Sequence, residues 1–269
     1  MESLGELLRS LEQSPHMKRA EEARRALLND PLVAQLMARH PGLDERMLDS
    51  HLNQVRQYVK EYRQCRECPG LDQCPNDLTG HYTKLDVQTL GGHTYIVDSK
   101  VPCKKWTARQ AQDRIRRRIR SFYLDGNMLR DSYSLDEILA ADFERMKAVE
   151  KIADYILQVK EHGLSEKGLY LYGKFGTGKT FLMCYMLHEL ARHGYNGVIV
   201  YMPDFMEDLK TMFGDATRLK ETIDLLKETD LLVFDDIGAE NLNSWARDHV
   251  LGTILNYRMN RRPTFFTSN

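Results

Sequence analysis

The sequence predicts an α/β fold for its C-terminal half, a parallel sheet flanked by helices, preceded by a helical N-terminal domain with a small cysteine-bearing segment. Three observations predict it. Apolar runs around residues 171 and 233 are hydrophobic on both faces, as strands buried between two helical layers are. A glycine-rich turn, Gly173 to Thr180, sits between an apolar run and a helical stretch. Residues 1–63 carry their apolar side chains at helical spacing.

The N-terminal elements follow in order. Leu4, Leu7, Leu8 and Leu11 share one helical face. Asp30 and Pro31 make an N-cap and first-turn pair for a second helix, which Pro41-Gly42 breaks. A longer helix then places Met47, Leu48, Leu52, Val55, Val59 and Tyr62 on one side. From Cys65 to Cys103 cysteine, glycine and proline become common; Leu85–Leu90 and Thr94–Val97 read as strands joined by a Gly91-Gly92 turn. The arginine-rich stretch after Lys104 reads as a connector, so the expected domains are 1–105, a basic linker over 106–133, and 134–269.

In the last domain Ser134-Leu135-Asp136-Glu137 resembles a capping box, and a helix is expected from Asp142 to Glu161. Strands are expected at Gly168–Tyr172, Gly197–Met202, Leu231–Asp235 and Thr264–Thr267, alternating with helices.

Composition sets the limits. The 269 residues are 42% hydrophobic and 29% charged, as in an ordinary soluble protein. A formal net charge of -1 means that any basic surface is local. No apolar run reaches the roughly 18 residues of a membrane helix, and the first residues lack the layout of a signal peptide. A cytoplasmic protein with no membrane partner is expected, and in a reducing compartment clustered cysteines suggest a metal rather than crosslinks.

Gly173-Lys174-Phe175-Gly176-Thr177-Gly178-Lys179-Thr180 fits G-x-x-x-x-G-K-[ST] at every fixed position. Glycines let successive backbone N–H groups point inward at phosphate oxygens, and the following helix N-terminus adds a favourable dipole. Lys179 is placed to reach the β- and γ-phosphates of ATP, and the Thr180 hydroxyl to ligate Mg²⁺. Leu231–Phe234 leads into two carboxylates: Asp235 at the strand end can hold the magnesium, and Asp236 can polarise an attacking water. The final strand ends in Asn269, which can hydrogen-bond a γ-phosphate or that water.

Cys65-x-x-Cys68 and Cys74 supply three thiolates suited to Zn²⁺. Cys103, brought back by the hairpin, is the expected fourth ligand, with His81 as the alternative; the site reads as closed and structural. Cys184, among Leu182, Met183 and Leu187, reads as a packed core thiol.

The runs YLYGKFGTGKT, LLVFDDIGAE and PTFFTSN, in that order, resemble the AAA+ ATPases of the bacterial helicase-loader group, which includes the DnaC and DnaI loaders and the transposition helper IstB. The segment CRECPGLDQCPN is similar to the zinc segment of the DnaI-type primosomal loaders. The resemblance implies an N-terminal domain that grips the hexameric replicative helicase. It also implies an ATPase domain that self-associates, binds single-stranded DNA and places the helicase on it. An IstB-like helper of transposition is the alternative, and the cysteine-rich N-terminal domain argues against it. The group more often has Asp-Glu where this chain has Asp235-Asp236, which implies slow turnover. It also continues past the strand ending at Asn269 with a lid carrying a trans-acting arginine and a sensor arginine, so the expectation is a truncated sequence.

Two polar stretches remain. In the resembling group the region between Tyr201 and Glu228 faces single-stranded DNA, which makes Lys210, Phe213 and Lys220 the candidate contacts. Arg114, Arg116, Arg117, Arg118 and Arg120 are broken only by Ile115 and Ile119, four apart and so on one helical face. They read equally as a contact for phosphates or an acidic helicase surface, or as a solvated linker helix.

Overall fold

The computed structural model describes residues 15–90, 93–124, 145–240 and 244–269. The helix expected through Leu4 to Leu11, the Gly91-Gly92 turn and the Ser134–Glu137 capping box lie outside them. The chain divides into two compact units, Met1–Gln110 and Ala111–Asn269.

The first unit packs four helices, α1 (Pro15–Leu28), α2 (Pro31–Arg39), α3 (Glu45–Ser50) and α4 (Leu52–Arg66), with an antiparallel hairpin, β1 (His81–Leu90) and β2 (His93–Pro102). Asp30 caps α2 as expected, accepting from the Leu32 amide at 2.9 Å with Pro31 in the first turn. The single helix expected after Pro41-Gly42 is two helices broken at His51. Ser50 Oγ and His51 Nδ1 both lie 2.8–2.9 Å from the Met47 carbonyl, and such side-chain bonds compete with the helical ladder. Leu48, Val55 and Val59 from the predicted face form the core with Val33, Leu36 and Ile96, while Tyr62 is exposed.

Glu61, fully buried on α4, fastens the helix to the hairpin. Its carboxylate accepts from the Thr83 amide (2.5 Å) and hydroxyl (2.8 Å), from Gln57 (2.7 Å) and from Lys100 Nζ (2.5 Å). A buried carboxylate is tolerated only with such a full set of donors.

The second unit is a five-stranded parallel sheet in the order β3-β5-β6-β7-β4, built from β3 (Ile119–Phe122), β4 (Tyr170–Tyr172), β5 (Gly197–Tyr201), β6 (Leu231–Asp235) and β7 (Thr264–Ser268). On one face lie α6 (Met146–His162) and α7 (Lys179–Arg192), packed on Ile199, Leu231, Val233 and Phe265. On the other lie α8 (Met202–Thr211), α9 (Ala216–Glu228) and α10 (Gly252–Arg258), packed on Val198, Val200, Leu232 and Phe234. Alternate residues of β5 and β6 thus feed two cores, which is why both strands are apolar throughout.

Residues 106–122, expected as part of a basic linker, have regular structure. They are the body of α5 (Lys104–Arg118), which contains the division between the units, and β3, which pairs in parallel with β5 from Ile119↔Gly197 to Phe122↔Val200. An edge strand of four residues carries only two apolar side chains here, Ile119 and Phe122, and the arginine run hides that pattern.

Arg258, 1% exposed, ties the second layer together. Its guanidinium donates to the carbonyls of Leu226, Lys227, Thr229, Asp230 and Pro263 and to Thr264 Oγ1, at 2.6–3.3 Å. Two of those carbonyls belong to the last turn of α9, where the helix has no donors of its own. Burial pushes the Arg258 guanidinium down to about 10.

Candidate functional site

The phosphate loop leaves β4 at Tyr172 and enters α7 at Lys179. Gly173, Gly176 and Gly178 have φ of 150°, 75° and 82°, a region that side chains oppose, so the curl of the loop depends on these glycines. Lys174 and Phe175 are exposed, and Thr177 Oγ1 donates to the Lys174 carbonyl at 2.9 Å. The loop is anchored to β7 by the Gly173 amide, 3.3 Å from the Ser268 carbonyl.

Lys179 Nζ folds back over the loop, donating to the carbonyls of Gly173 (2.7 Å) and Lys174 (2.9 Å) and to Asn269 Oδ1 (2.8 Å). Thr180 Oγ1 donates to the Asp235 carboxylate at 2.9–3.0 Å. Asp235 is 2% exposed, and burial pushes its carboxyl above the ordinary value, against the lowering effect of the Thr267 and Thr180 hydroxyls. A hydroxyl and a carboxylate side by side next to the glycine-curled loop form an oxygen donor set that fits Mg²⁺. Three adjacent strand ends, β4, β6 and β7, therefore bring together every residue that the sequence assigns to the nucleotide: the loop, Asp235, Asp236 and Asn269.

Asp236 has φ 59°, a left-handed backbone conformation that side chains oppose. Asn269 Nδ2 donates to it. The backbone there is held by Thr267, a residue that sequence reasoning passed over. Its hydroxyl accepts from the Asp236 amide at 2.8 Å and donates to Asp235 at 2.7 Å, and its carbonyl accepts from the Ile237 amide at 2.8 Å. Arg145, which heads α6, was also passed over. Its Nη2 lies 3.3 Å from the Gly176 carbonyl, and a methyl group on Gly178 would stand 3.1 Å from Nη1. No motif surrounds Arg145 in the sequence, so only the packing of α6 on the loop shows it.

Cys184 is buried on α7 as expected, and burial beside Asp235 pushes its thiol up to about 12. Of the expected DNA contacts, Lys210 is ion-paired with Glu207 at 2.6 Å and Lys220 is exposed. Phe213 falls in the short turn Met212–Gly214, with its side chain outside the described part.

Cys65, Cys68, Cys74 and Cys103 are free thiols lining one cavity of about 180 Å³, together with His81. Each sulfur has a nitrogen donor: Asn76 Nδ2 on Cys65, Lys105 Nζ on Cys68, the Gly80 amide on Cys74 and the Trp106 amide on Cys103, all at 3.4 Å. As the side chains stand, no three Cys, His, Asp or Glu among the described residues are arranged to hold a metal ion. His81 Nδ1 is engaged by the Thr79 carbonyl at 3.0 Å, and its ring packs on Trp106. No helix among the described residues is long and apolar enough to cross a membrane.

The chain is 35% identical over 272 residues to the replicative helicase loader DnaI of Bacillus subtilis, an alignment covering 100% of this chain and 85% of the relative. The chain belongs to the DnaI family of helicase loaders. Residues 1–90 match the primosomal protein DnaI N-terminus, and residues 103–269 match the IstB-like ATP binding protein family. The replicative helicase loader DnaC of Escherichia coli K12 is 27% identical over 46% of this chain and 50% of its own length. An insertion-sequence ATP-binding protein of Pseudomonas fluorescens is 32% identical over the same 46% and 50% shares. A crystal structure of DnaI aligns at 38% identity over 56% of this chain and 78% of its own, with a TM-score of 0.49. The transposition-helper likeness is thus confined to part of the chain, whereas the DnaI likeness runs through both units. The second unit is an AAA+ ATPase domain of the DnaI type, and the parallel sheet expected for it is the one observed.

Proposed function

We propose that this protein is an ATP-controlled loader that holds a hexameric replicative helicase through its N-terminal unit and places it on single-stranded DNA in the cytoplasm. The observation that carries the reading is the joining, in one chain, of a DnaI-type N-terminal unit to a phosphate loop wired to Asp235, Asp236 and Asn269. The loop amides and Lys179 bind the triphosphate. Thr180 and Asp235 would hold magnesium, which supplies charge neutralisation on the phosphates. Asp236 orients the attacking water from a short side chain, so turnover is slow and the site serves as a switch. Lys220 and Lys210, the latter on leaving Glu207, are DNA contacts beside Phe213, and the AAA+ domains associate with one another. An oxidant-free setting fits the free cysteines.

Zinc held by Cys65, Cys68, Cys74 and Cys103 belongs to the same reading. The four sulfurs line one cavity, each with a nitrogen donor at 3.4 Å, and the Gly70 amide together with Lys105 holds the Cys68 thiol below its ordinary value. The test is co-precipitation with the replicative helicase. Wild type and Lys179→Ala should both retain the helicase, and only wild type should bind ATP. Failure of the wild-type chain to retain any replicative helicase removes the loader reading. Metal analysis of protein purified without chelator should give about one zinc per chain, and none would remove the zinc site.

A further inference from the structure

The densest positive charge in the second unit lies outside the nucleotide site. Arg114, Arg116, Arg117, Arg118 and Arg120 fall within one short stretch at the end of α5 and the start of β3, in a chain whose formal net charge is -1. Arg118 is used structurally, donating to the Gly194 carbonyl. The other four are exposed, and none is paired with a carboxylate among the described residues. On the candidate DNA side of α8 and α9, Lys210 is neutralised by Glu207 and Arg218 by Asp208, which leaves Lys220 as the exposed cation of the three that is unpaired among the described residues.

The stretch is also fixed. Ile115 packs on the core shared by α6 and α7, and Ile119 is buried within it, so the guanidinium groups project from a seated helix end and an edge strand. A solvated connector helix needs neither anchor. The cationic field reaches the neighbouring α7, where burial, Arg192 and Arg116 hold the half-buried His188 below its ordinary value, against Glu189. Glu189 itself is shared between Lys160 and Arg192 and leaves the patch unneutralised.

We infer that Arg114, Arg116, Arg117 and Arg120 form a nucleic-acid phosphate-binding surface on the AAA+ domain, separate from the phosphate loop and from α8 and α9. Guanidinium groups on a pre-positioned element lose little freedom on binding, and each contact made with a backbone phosphate releases counterions. No side chain among the four is aromatic or apolar, so the surface reads backbone charge and not sequence. The inference rests on the reading that this loader engages DNA.

The experiment uses the full chain with the three helical arginines replaced, Arg114→Ala, Arg116→Ala and Arg117→Ala together; alanine preserves helix propensity. Binding of a fluorescein-labelled single-stranded oligonucleotide and of a duplex of equal length is titrated against salt, with ATP affinity measured as the control for folding. For single strands the slope of log K against log salt should shrink by about 2, at roughly 0.7 per lost phosphate contact, with affinity lower by about a hundredfold near 0.1 M salt. ATP affinity should be unchanged. Equal losses on both probes mean that the surface accepts either backbone; a loss on the single strand alone assigns it to the unpaired strand. A triple variant that binds both as wild type does overturns the inference while leaving the loader reading intact. Wild-type protein that binds neither probe, with or without helicase and ATP, overturns both the inference and the DNA part of that reading. Loss of helicase co-precipitation with unchanged oligonucleotide binding overturns it in favour of an acidic protein surface.

Discussion

Lys179 Nζ stands 2.8 Å from Asn269 Oδ1, and the amide nitrogen of the same Asn269 donates to Asp236. All three protons of the loop lysine are thus spent on the protein, on two loop carbonyls and on this strand-end amide. A γ-phosphate drawing on Lys179 would compete with Asn269, and through Asn269 the change would reach Asp236.

This wiring predicts a split in the effects of Asn269→Ala. ATP affinity should stay within about threefold of wild type, because the loop amides and Lys179 remain and one carbonyl competitor is removed. Hydrolysis should fall on the order of a hundredfold, the usual cost of one polar group aimed at the reacting phosphate. Steady-state ATPase rates alongside fluorescent-nucleotide binding measure the two. An alanine variant with wild-type turnover would show that Asn269 only closes the strand.

Asp235 predicts a second split, between stability and magnesium. Its folded carboxyl lies above the ordinary value, so this group favours folding below its unfolded pKa, and that contribution is lost as pH rises through the raised folded value. At neutral pH the buried carboxylate therefore costs stability. Asp235→Asn keeps an acceptor for Thr180 and Thr267 while removing the charge. The nucleotide-free variant should melt no lower than wild type at pH 7. It should lose the stabilisation that Mg-ATP confers, about 2.7 kcal/mol at a hundred times Kd. Thermal melts with ATP, with and without magnesium, decide it. A variant that melts lower when empty shows that the charge is stabilising.

Arg145 places a guanidinium against the Gly176 carbonyl and in the space that a side chain on Gly178 would enter. Its Nε is buried without a hydrogen-bond partner among the described residues, so the group has donor capacity left beside the phosphate loop. Arg145→Ala should weaken ATP binding by roughly tenfold, the worth of one charge-assisted hydrogen bond, and Arg145→Lys should recover part of it. Equilibrium binding of ATP and ADP to both variants is the measurement. Equal affinities for wild type and alanine variant would confine Arg145 to packing.

The nucleotide site was legible because its chemistry is local: a loop needing glycine at fixed steps, and apolar strands ending in carboxylates. The strand Leu231–Asp235 was bounded from sequence to the residue, since a strand feeding two cores has no polar position to blur its ends. What escaped depends on tertiary partners. Ile119–Phe122 has too few apolar positions to announce a strand, and it is one only because β5 offers an edge. Thr267 looks like any strand threonine until Asp235 and the Asp236 amide stand on either side of its hydroxyl. The His51 break is set by two side chains turning back on one carbonyl, which helical periodicity does not register.

Glu61 predicts how the N-terminal unit responds to acid. Burial raises its carboxyl, but the bonds from Lys100, Thr83 and Gln57 outweigh that and hold it below the ordinary 4.5. With the folded value depressed, its stabilisation is present above about 4.5 and is lost as pH falls through the folded value. Lys100→Met removes the largest lowering influence, so the folded value rises and acid loosening of the hairpin should begin at higher pH than in wild type. Glu61→Gln should cost about 3–5 kcal/mol at neutral pH, because an amide nitrogen must then face Lys100, Gln57 or the Thr83 donors, and it should flatten the acid dependence. Hydrogen exchange of the Thr83 amide, which Glu61 itself accepts, reads this unit directly across the pH range. An acid transition in Glu61→Gln that matches wild type in position and steepness would assign the pH dependence to another carboxylate.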